Sequence, residues 1–230
     1  MKKSNITIIA FGLFLVGGML ALFVGSKYHN YEKDQELTKN KEVLLPPFSV
    51  IVAEKGSDLH IEQSDTNKLT IEYFPDKKIP SKLYAVSGDT LYAYSGLRLF
   101  VKCRNLNEVI GKKHKWVGIN DLLTNALTIR MSGGEMYFNN EMLNAKNSKV
   151  KKSPKFVDVS IFASDSAYIN IYDVHINNLN LKADSASIRT ECRINNLNVK
   201  LVHKSKLEML SNSGFFEIKK DSTSQYSAWF

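Results

Sequence analysis

Cysteine is nearly absent from this chain, with two in 230 residues. Cys103 and Cys192 are far apart and in no C-x-x-C arrangement, so they are read either as one disulfide or as two buried free thiols. The five histidines, at 29, 60, 114, 175 and 203, have no mutual metal-ligand spacing. A glycine-rich phosphate loop, a G-x-S-x-G elbow and an H-E-x-x-H pair are all missing. Ser148-x-x-Lys151 matches one element of the penicillin-binding signature, but the Ser-Asp-Asn and Lys-Thr-Gly elements do not accompany it. These absences assign no catalytic, cofactor-binding or metal-binding residue, and they imply no cofactor. The formal charge of +8 is spread thinly. Its densest runs, Lys112–Lys115 and Lys149–Lys155, are short and carry little aromatic interleaving, so they read as solvated loops. No helix-turn-helix, zinc-finger or RNA-binding strand pattern is present, and no nucleic-acid partner is expected.

What is present begins with an apolar run. Ile6 to Val24 (ITIIAFGLFLVGGMLALFV) has no charge and follows Lys2 and Lys3. It approaches the roughly 20 residues that cross about 30 Å of hydrocarbon. Residues 1–26 are therefore expected to be a transmembrane anchor, with a cleaved signal peptide as the competing reading. On either reading the rest of the chain is extracytoplasmic; on the first the protein is a single-pass bacterial membrane protein with its N-terminus in the cytoplasm. Residues 27–47 are polar and end in Pro46-Pro47, as a stalk would.

Beyond Pro47 the hydrophobic period is two. Leu59 and Ile61, Leu99 and Val101, Leu127, Ile129 and Met131, and Val157, Val159 and Ile161 alternate with polar residues, as in strands with one buried face. Gly88-Asp89, Ser132-Gly133-Gly134 and asparagine pairs supply turns. No long 3.6-residue period occurs after residue 48, so residues 48–230 are expected to be all-β.

One stretch repeats itself. Asn177-Asn-Leu-Asn-Leu-Lys182 returns as Asn195-Asn-Leu-Asn-Val-Lys200, and Asp165-Ser-Ala-x-Ile169 returns as Asp184-Ser-Ala-x-Ile188. Spacings of 18 and 19 residues predict a parallel β-helix, or solenoid, with coils of about 18–20 residues stacked about 4.8 Å apart. The asparagine pairs would then stack at a corner in the left-handed conformation that Asn tolerates, with their amides bonded along the stack. A β-sandwich is the alternative. The regular coils are placed at 106–218, after an irregular beginning at 48–105. Residues 219–230 are read as an aromatic cap in which Phe215, Phe216, Tyr226, Trp229 and Phe230 close the open end. Asp165 and Asp184 could stack as a carboxylate pair, but turn residues are the plainer reading.

The stretches FSVIVAEKGSDLHIEQSDTNKLTIEY (48–73), GDTLYAY (88–94), LFVKCRNLNEVIG (99–111) and NALTIRMSGGEMYF (125–138), with the repeats to about residue 218, resemble the head GIN domain family of auto-transporter adhesins. That resemblance implies a signal or anchor followed by a β-solenoid, and it suggests adhesion without specifying a ligand. The expected function is a membrane-anchored, adhesin-like binding module of the bacterial envelope. It would have no catalytic activity, and its ligand would be a glycan or an envelope protein. The alternatives are a scaffold that self-associates through its terminal coil, and a polysaccharide-acting β-helix enzyme.

Overall fold

The computed structural model describes residues 14–24, 38–75, 80–94, 96–120, 122, 124–139, 155–210 and 213–229. The chain forms two compact units, Met1–Lys39 with Tyr73–Lys78, and Asn40–Glu72 with Ile79–Phe230.

The first unit contains the single described helix, α1, at residues 14–24. Its 11 residues rise only about 16 Å at roughly 1.5 Å each, about half of a hydrocarbon core. No helix among the described residues is long and apolar enough to cross a membrane. This overturns the expected single-pass membrane localisation and the expected partnership with a membrane through an N-terminal helix. The rest of the apolar run, residues 6–13, lies outside the described residues.

The second unit holds the sheet. Among the described residues the sheet has 17 strands, whose first members in chain order are β1 (Lys39–Leu44), β2 (Val50–Ala53), β3 (Asp58–Gln63), β4 (Lys68–Tyr73), β5 (Tyr84–Ser87), β6 (Thr90–Ala93), β7 (Arg98–Cys103), β8 (Glu108–Lys112) and β9 (Trp116–Asn120), with Lys39 and Tyr73 at strand ends counted in the first unit. There follow β10 (Ala126–Ser132), β11 (Glu135–Asn139), β12 (Lys155–Ser164), β13 (Tyr168–Asp184), β14 (Ser187–Val202), β15 (Lys206–Met209), β16 (Ser213–Lys220) and β17 (Gln225–Ala228).

Pairing sorts most of these strands into two parallel rows. The first runs β6, β2, β8, β10, β12, then the second halves of β13 and β14, then β16. The second runs β7, β3, β9, β11, then the first halves of β13 and β14, then β15 and β17. The sheet is mixed, because β4 pairs antiparallel with β7 and β5 antiparallel with β6. β1, within the segment expected to be a stalk, pairs with β4. Chain order and spatial order differ at this end: β2 lies between β6 and β8, so the layer holding β6 and β7 sits outside the earlier layer holding β2 and β3.

Register explains the core. In the first row Leu91, Ile51, Val109, Ile129, Ile161, Leu181 and Val199 stand opposite one another in turn, all buried. In the second row Leu99, Leu59, Val117, Met136, Ile169, Ile188 and Leu207 do the same. Leu179 faces Leu197, as the repeat predicts. The two spacings seen in the sequence come from one irregularity. Tyr172 faces Glu191 but His175 faces Arg193, so β13 carries one extra residue, and Asp173 within it has φ of 55°.

The asparagine pairs do form amide ladders. Asn195 Nδ2 donates to Asn177 Oδ1 and Asn196 Nδ2 to Asn178 Oδ1, each at 2.9 Å, and Asn178 Nδ2 donates to Asp158 Oδ1 at 2.8 Å. They do not sit in left-handed corners, however. None of the four asparagines has positive φ, and they lie inside β13 and β14. The left-handed corners fall between the two rows instead, at Lys113, Asp165, Ser166, Ser185, His203 and Lys204. At the last of these corners Asp221 Oδ2 accepts from the His203 N–H and Thr223 Oγ1 from the Lys204 N–H, which offsets the strain. At the equivalent corner Gly134 has φ of 80°, and a Cβ on it would overlap the His114 carbonyl.

Cys103 and Cys192 are both buried and free. They belong to strands five pairing steps apart in the second row, roughly 24 Å at the usual strand spacing of about 4.8 Å, so no disulfide can join them. Burial pushes each thiol up to about 12. In a thiol-titration experiment neither cysteine should react with an aromatic disulfide reagent at neutral pH, and both should react once the chain is unfolded in guanidinium.

Candidate functional site

Residues facing outward from the second row lie in register as strictly as those facing inward. Phe100 on β7 stands opposite His60 on β3, which stands opposite Gly118 on β9, which stands opposite Tyr137 on β11. The gap at Gly118 is filled by its neighbour two residues back: the Trp116 indole lies across Gly118, where a Cβ would overlap it. Glycine at this position is thus a packing requirement for the indole.

The result is a continuous line of rings. Phe100 stacks on His60 at 4.6 Å between centroids, with the planes inclined by 23°. His60 and Trp116 follow at 4.3 Å, Trp116 and Tyr137 at 5.8 Å, and Tyr137 and Tyr168 at 6.3 Å. The line crosses five strands, roughly 19 Å at about 4.8 Å per step. Every ring in it is half-buried, so each is held by its neighbours yet keeps a surface toward solvent.

Polar groups flank the rings on both sides. On one side Asp58 lies near Lys115 and Arg98, each at 3.7 Å, and Arg98 also reaches Glu72 at 3.5 Å. On the other are Lys102 with Glu62 at 3.8 Å, and Asn139, whose Nδ2 donates to the Tyr172 hydroxyl. The side-chain carbonyl oxygens of Asn139 and Asn170 have no hydrogen-bond partner among the described residues. Burial raises the Tyr137 phenol above its ordinary value, and the charge of Glu135 and the nearby Tyr168 and Tyr172 add to this. Its hydroxyl therefore keeps its proton at neutral pH and can both donate and accept. Chemically this is a shallow platform that can stack on apolar ligand surfaces and hydrogen-bond at its rim. It holds no nucleophile next to a base.

The residues singled out from sequence are dispersed. Asp165 accepts hydrogen bonds from Ser132 Oγ at 2.6 Å and Ser164 Oγ at 3.2 Å. Those hydroxyls, the Ser132 one first, hold its carboxyl below the usual range, and Lys113 contributes. Asp184 accepts from Ser185 and contacts His203 Nδ1 at 2.9 Å. Each carboxylate serves its own corner. Asp221, which sequence reading passed over, does the same more strongly: the His203 backbone N–H, with the Thr223 hydroxyl and the Ser224 backbone N–H, holds its carboxyl far below the usual range. His175 joins the asparagine ladder through Asn195. Among the described residues no group of three or more His, Cys, Asp or Glu could hold a metal. His29, Ser148, Lys151 and Phe230 lie outside the described residues.

His114 corrects the expectation of a solvated loop at 112–115. It is 3% exposed, sits against Gly111 and Gly134, and its Nε2 lies 3.1 Å from the Glu135 carbonyl. Burial lowers its pKa below the ordinary histidine value. The unfolded chain then binds a proton more readily than the folded one, so stability is full above about pH 6.5 and falls as pH drops below it. Urea unfolding should show stability declining between about pH 6.5 and 5, above the carboxylate range. In His114→Gln that slope should flatten, whatever the variant's absolute stability.

No family model matches the chain, and no curated protein matches it. Solved structures do. One described as a "putative lipid binding protein" from Parabacteroides distasonis aligns over 84% of this chain and 97% of its own, at 13% identity and a TM-score of 0.45. A "putative adhesin" from the same organism aligns over 83% and 97%, at 12% identity and a TM-score of 0.47. A "putative adhesin" from Bacteroides fragilis aligns over 84% and 97%, at 13% identity and a TM-score of 0.48. At this degree of similarity, function has to be read from the site itself.

Proposed function

We propose that the chain is a non-catalytic, adhesin-like binding module whose two rows of parallel strands are successive faces of a β-solenoid. Its ring platform is the contact surface for a polysaccharide, with envelope glycans the ligand class in view. Kinship with head GIN domain proteins belongs to the same proposal. The observation that carries it is the line Phe100–His60–Trp116–Tyr137–Tyr168, half-buried over five strands with a glycine clearing room for the indole. Sugar rings present axial C–H groups that pack on aromatic faces, and their hydroxyls take hydrogen bonds from a polar rim. A repeating platform suits a repeating ligand, because several weak contacts along one chain add as effective concentration.

Affinity electrophoresis through gels containing neutral polysaccharides (xylan, mannan, β-glucan) tests this. The wild-type chain should be retarded in at least one gel. Trp116→Ala and Gly118→Val should weaken that retardation by about tenfold, or about 1.4 kcal/mol. Circular dichroism should show the strand content unchanged. Failure of every polysaccharide to retard the wild-type chain would sink the reading.

A second reading, self-association, has its own observation. At the end formed by β16 and β17, no further described strand pairs with them, and Phe215, Phe216, Tyr226 and Trp229 are 65%, 45%, 48% and 69% exposed. The aromatic cap expected there leaves these rings in solvent. Open strand edges beside apolar rings invite another chain. Under this reading sedimentation velocity shows concentration-dependent oligomers that Trp229→Ser abolishes. A monomer at every concentration rules it out.

A further inference from the structure

The outward face of the first row differs from that of the second. Arg130 on β10 stands opposite Ile110 on one side and Phe162 on the other, Phe162 stands opposite Lys182, and Lys182 opposite Lys200. Two residues further along each strand a second outward line runs through Lys112, Ser132, Ser164, Asp184 and Val202, and between the two lines lies the backbone of Gly111, Met131, Ala163 and Ala183, whose side-chain positions face the core. The space between the lines is a groove of about 420 Å³, within the range of about 300–1,000 Å³ typical of ligand pockets.

Two kinds of group meet in it. Ile110, Phe162 and Val202 are partly exposed apolar side chains on its wall. The cations Lys112, Arg130, Lys182 and Lys200 surround them. Two of these are already balanced, Lys112 by Glu54 at 3.2 Å and Arg130 by Glu108 at 2.7 Å. The guanidinium of Arg130 and the ammonium of Lys182 lie 4.5 and 5.5 Å from the Phe162 ring centre. Lys182 and Lys200, directly opposite each other on adjacent strands, form no ion pair among the described residues. The carboxylate that lines the groove, Asp184, is engaged by His203 and Ser185. Like charges facing across a strand pair are unfavourable, and an anion between them would remove that repulsion.

We infer that this groove is a second binding site, separate from the ring platform, for an amphiphilic anion: a carboxylate or phosphate monoester bearing an aliphatic tail. The head lies between Lys182 and Lys200, where each ammonium gives it a charge-assisted hydrogen bond. The tail lies along the backbone floor of the groove against Phe162, with the lysine stems covering its flanks. Neither half suffices alone, since the lysines are solvent-exposed and the apolar wall is short. Affinity should arise only when head and tail are joined.

The test is isothermal titration calorimetry of the full chain with octyl phosphate and octanoate below their micelle concentrations, alongside inorganic phosphate and octanol. Octyl phosphate or octanoate should bind at least about tenfold more tightly than inorganic phosphate or octanol, and the affinity should fall with added salt. Lys182→Gln/Lys200→Gln should lose about tenfold or more, the scale of a lost hydrogen bond to a charged group. Phe162→Ser should weaken the tailed anions and leave inorganic phosphate unchanged. The double lysine variant removes a repulsion, so its urea midpoint should be no lower than that of the wild-type chain, which separates lost binding from lost folding. Its retardation by polysaccharide should be unchanged, so the groove and the platform fail or stand independently. Equal binding of inorganic phosphate or octanol overturns the inference. So does undiminished binding by the double variant, or no binding of either tailed anion.

Discussion

Each strand inside the two rows takes its backbone hydrogen bonds from the strand on either side of it, and in register. Everything else in the sheet follows from that pairing. A slip of one residue in any strand would turn its inward side chains outward, so register is held by the whole buried column at once. Ile161 between Ile129 and Leu181, and Ile169 between Met136 and Ile188, are each fully buried because the layers on both sides supply matching apolar groups. The same pairing that stacks isoleucines inside stacks amides outside. Asp158, Asn178 and Asn196 are joined one to the next because their backbones are.

The pairing constrains the two faces of each strand differently. Inward positions must be apolar and of compatible volume, while outward positions are free to diverge. They have diverged in opposite directions, toward aromatic rings on the second row and cations beside a partly exposed Phe162 on the first. The ends diverge too. Antiparallel strands β4 and β5 cover the layer of β6 and β7, whereas β16 and β17 leave their far edges and several aromatic rings open. An uncovered strand edge is a common route to unwanted pairing.

The asparagine repeat led directly to the pairing of Leu179 with Leu197, because both pack into one column and both belong to one recurring unit. The strands at 59–61, 99–101, 127–131 and 159–161 were legible for the same reason: a period of two survives any change of partner; Val157, read as part of the same buried face, is instead exposed, and Phe156 is buried beside it. The corners were not. Left-handed backbone fell to Asp, Ser, His and Lys rather than to the asparagines, whose amides are bonded along the ladder inside strands; at His203 and Lys204 the Asp221 and Thr223 side chains of the next layer take the backbone N–H groups. His114 read as part of a charged loop because its neighbours are lysines, yet Gly111 and Gly134 leave a space that only a ring fills. The apolar run before residue 25 read as a membrane span by length, whereas the helix described within it is 11 residues long. The ring platform had a faint signal. Phe100, Trp116, Tyr137 and Tyr168 each adjoin an inward apolar residue, but nothing in their order along the chain shows that His60 stands between Phe100 and Trp116.

Alternation and repetition along the chain by themselves determined that residues beyond 48 form strands, which side chains face inward, and that layers near 165–209 recur at 18 or 19 residues. Those properties are local, since they depend on each residue's neighbours within a few positions. The insertion of the layer at 50–63 between those at 90–103 and 108–120 was decided only in three dimensions. So were the line of rings that this insertion creates and the unbalanced lysine pair beside Phe162. Hydrogen bonds between strands are indifferent to the chain distance separating them, and no local pattern states which strand will be the neighbour.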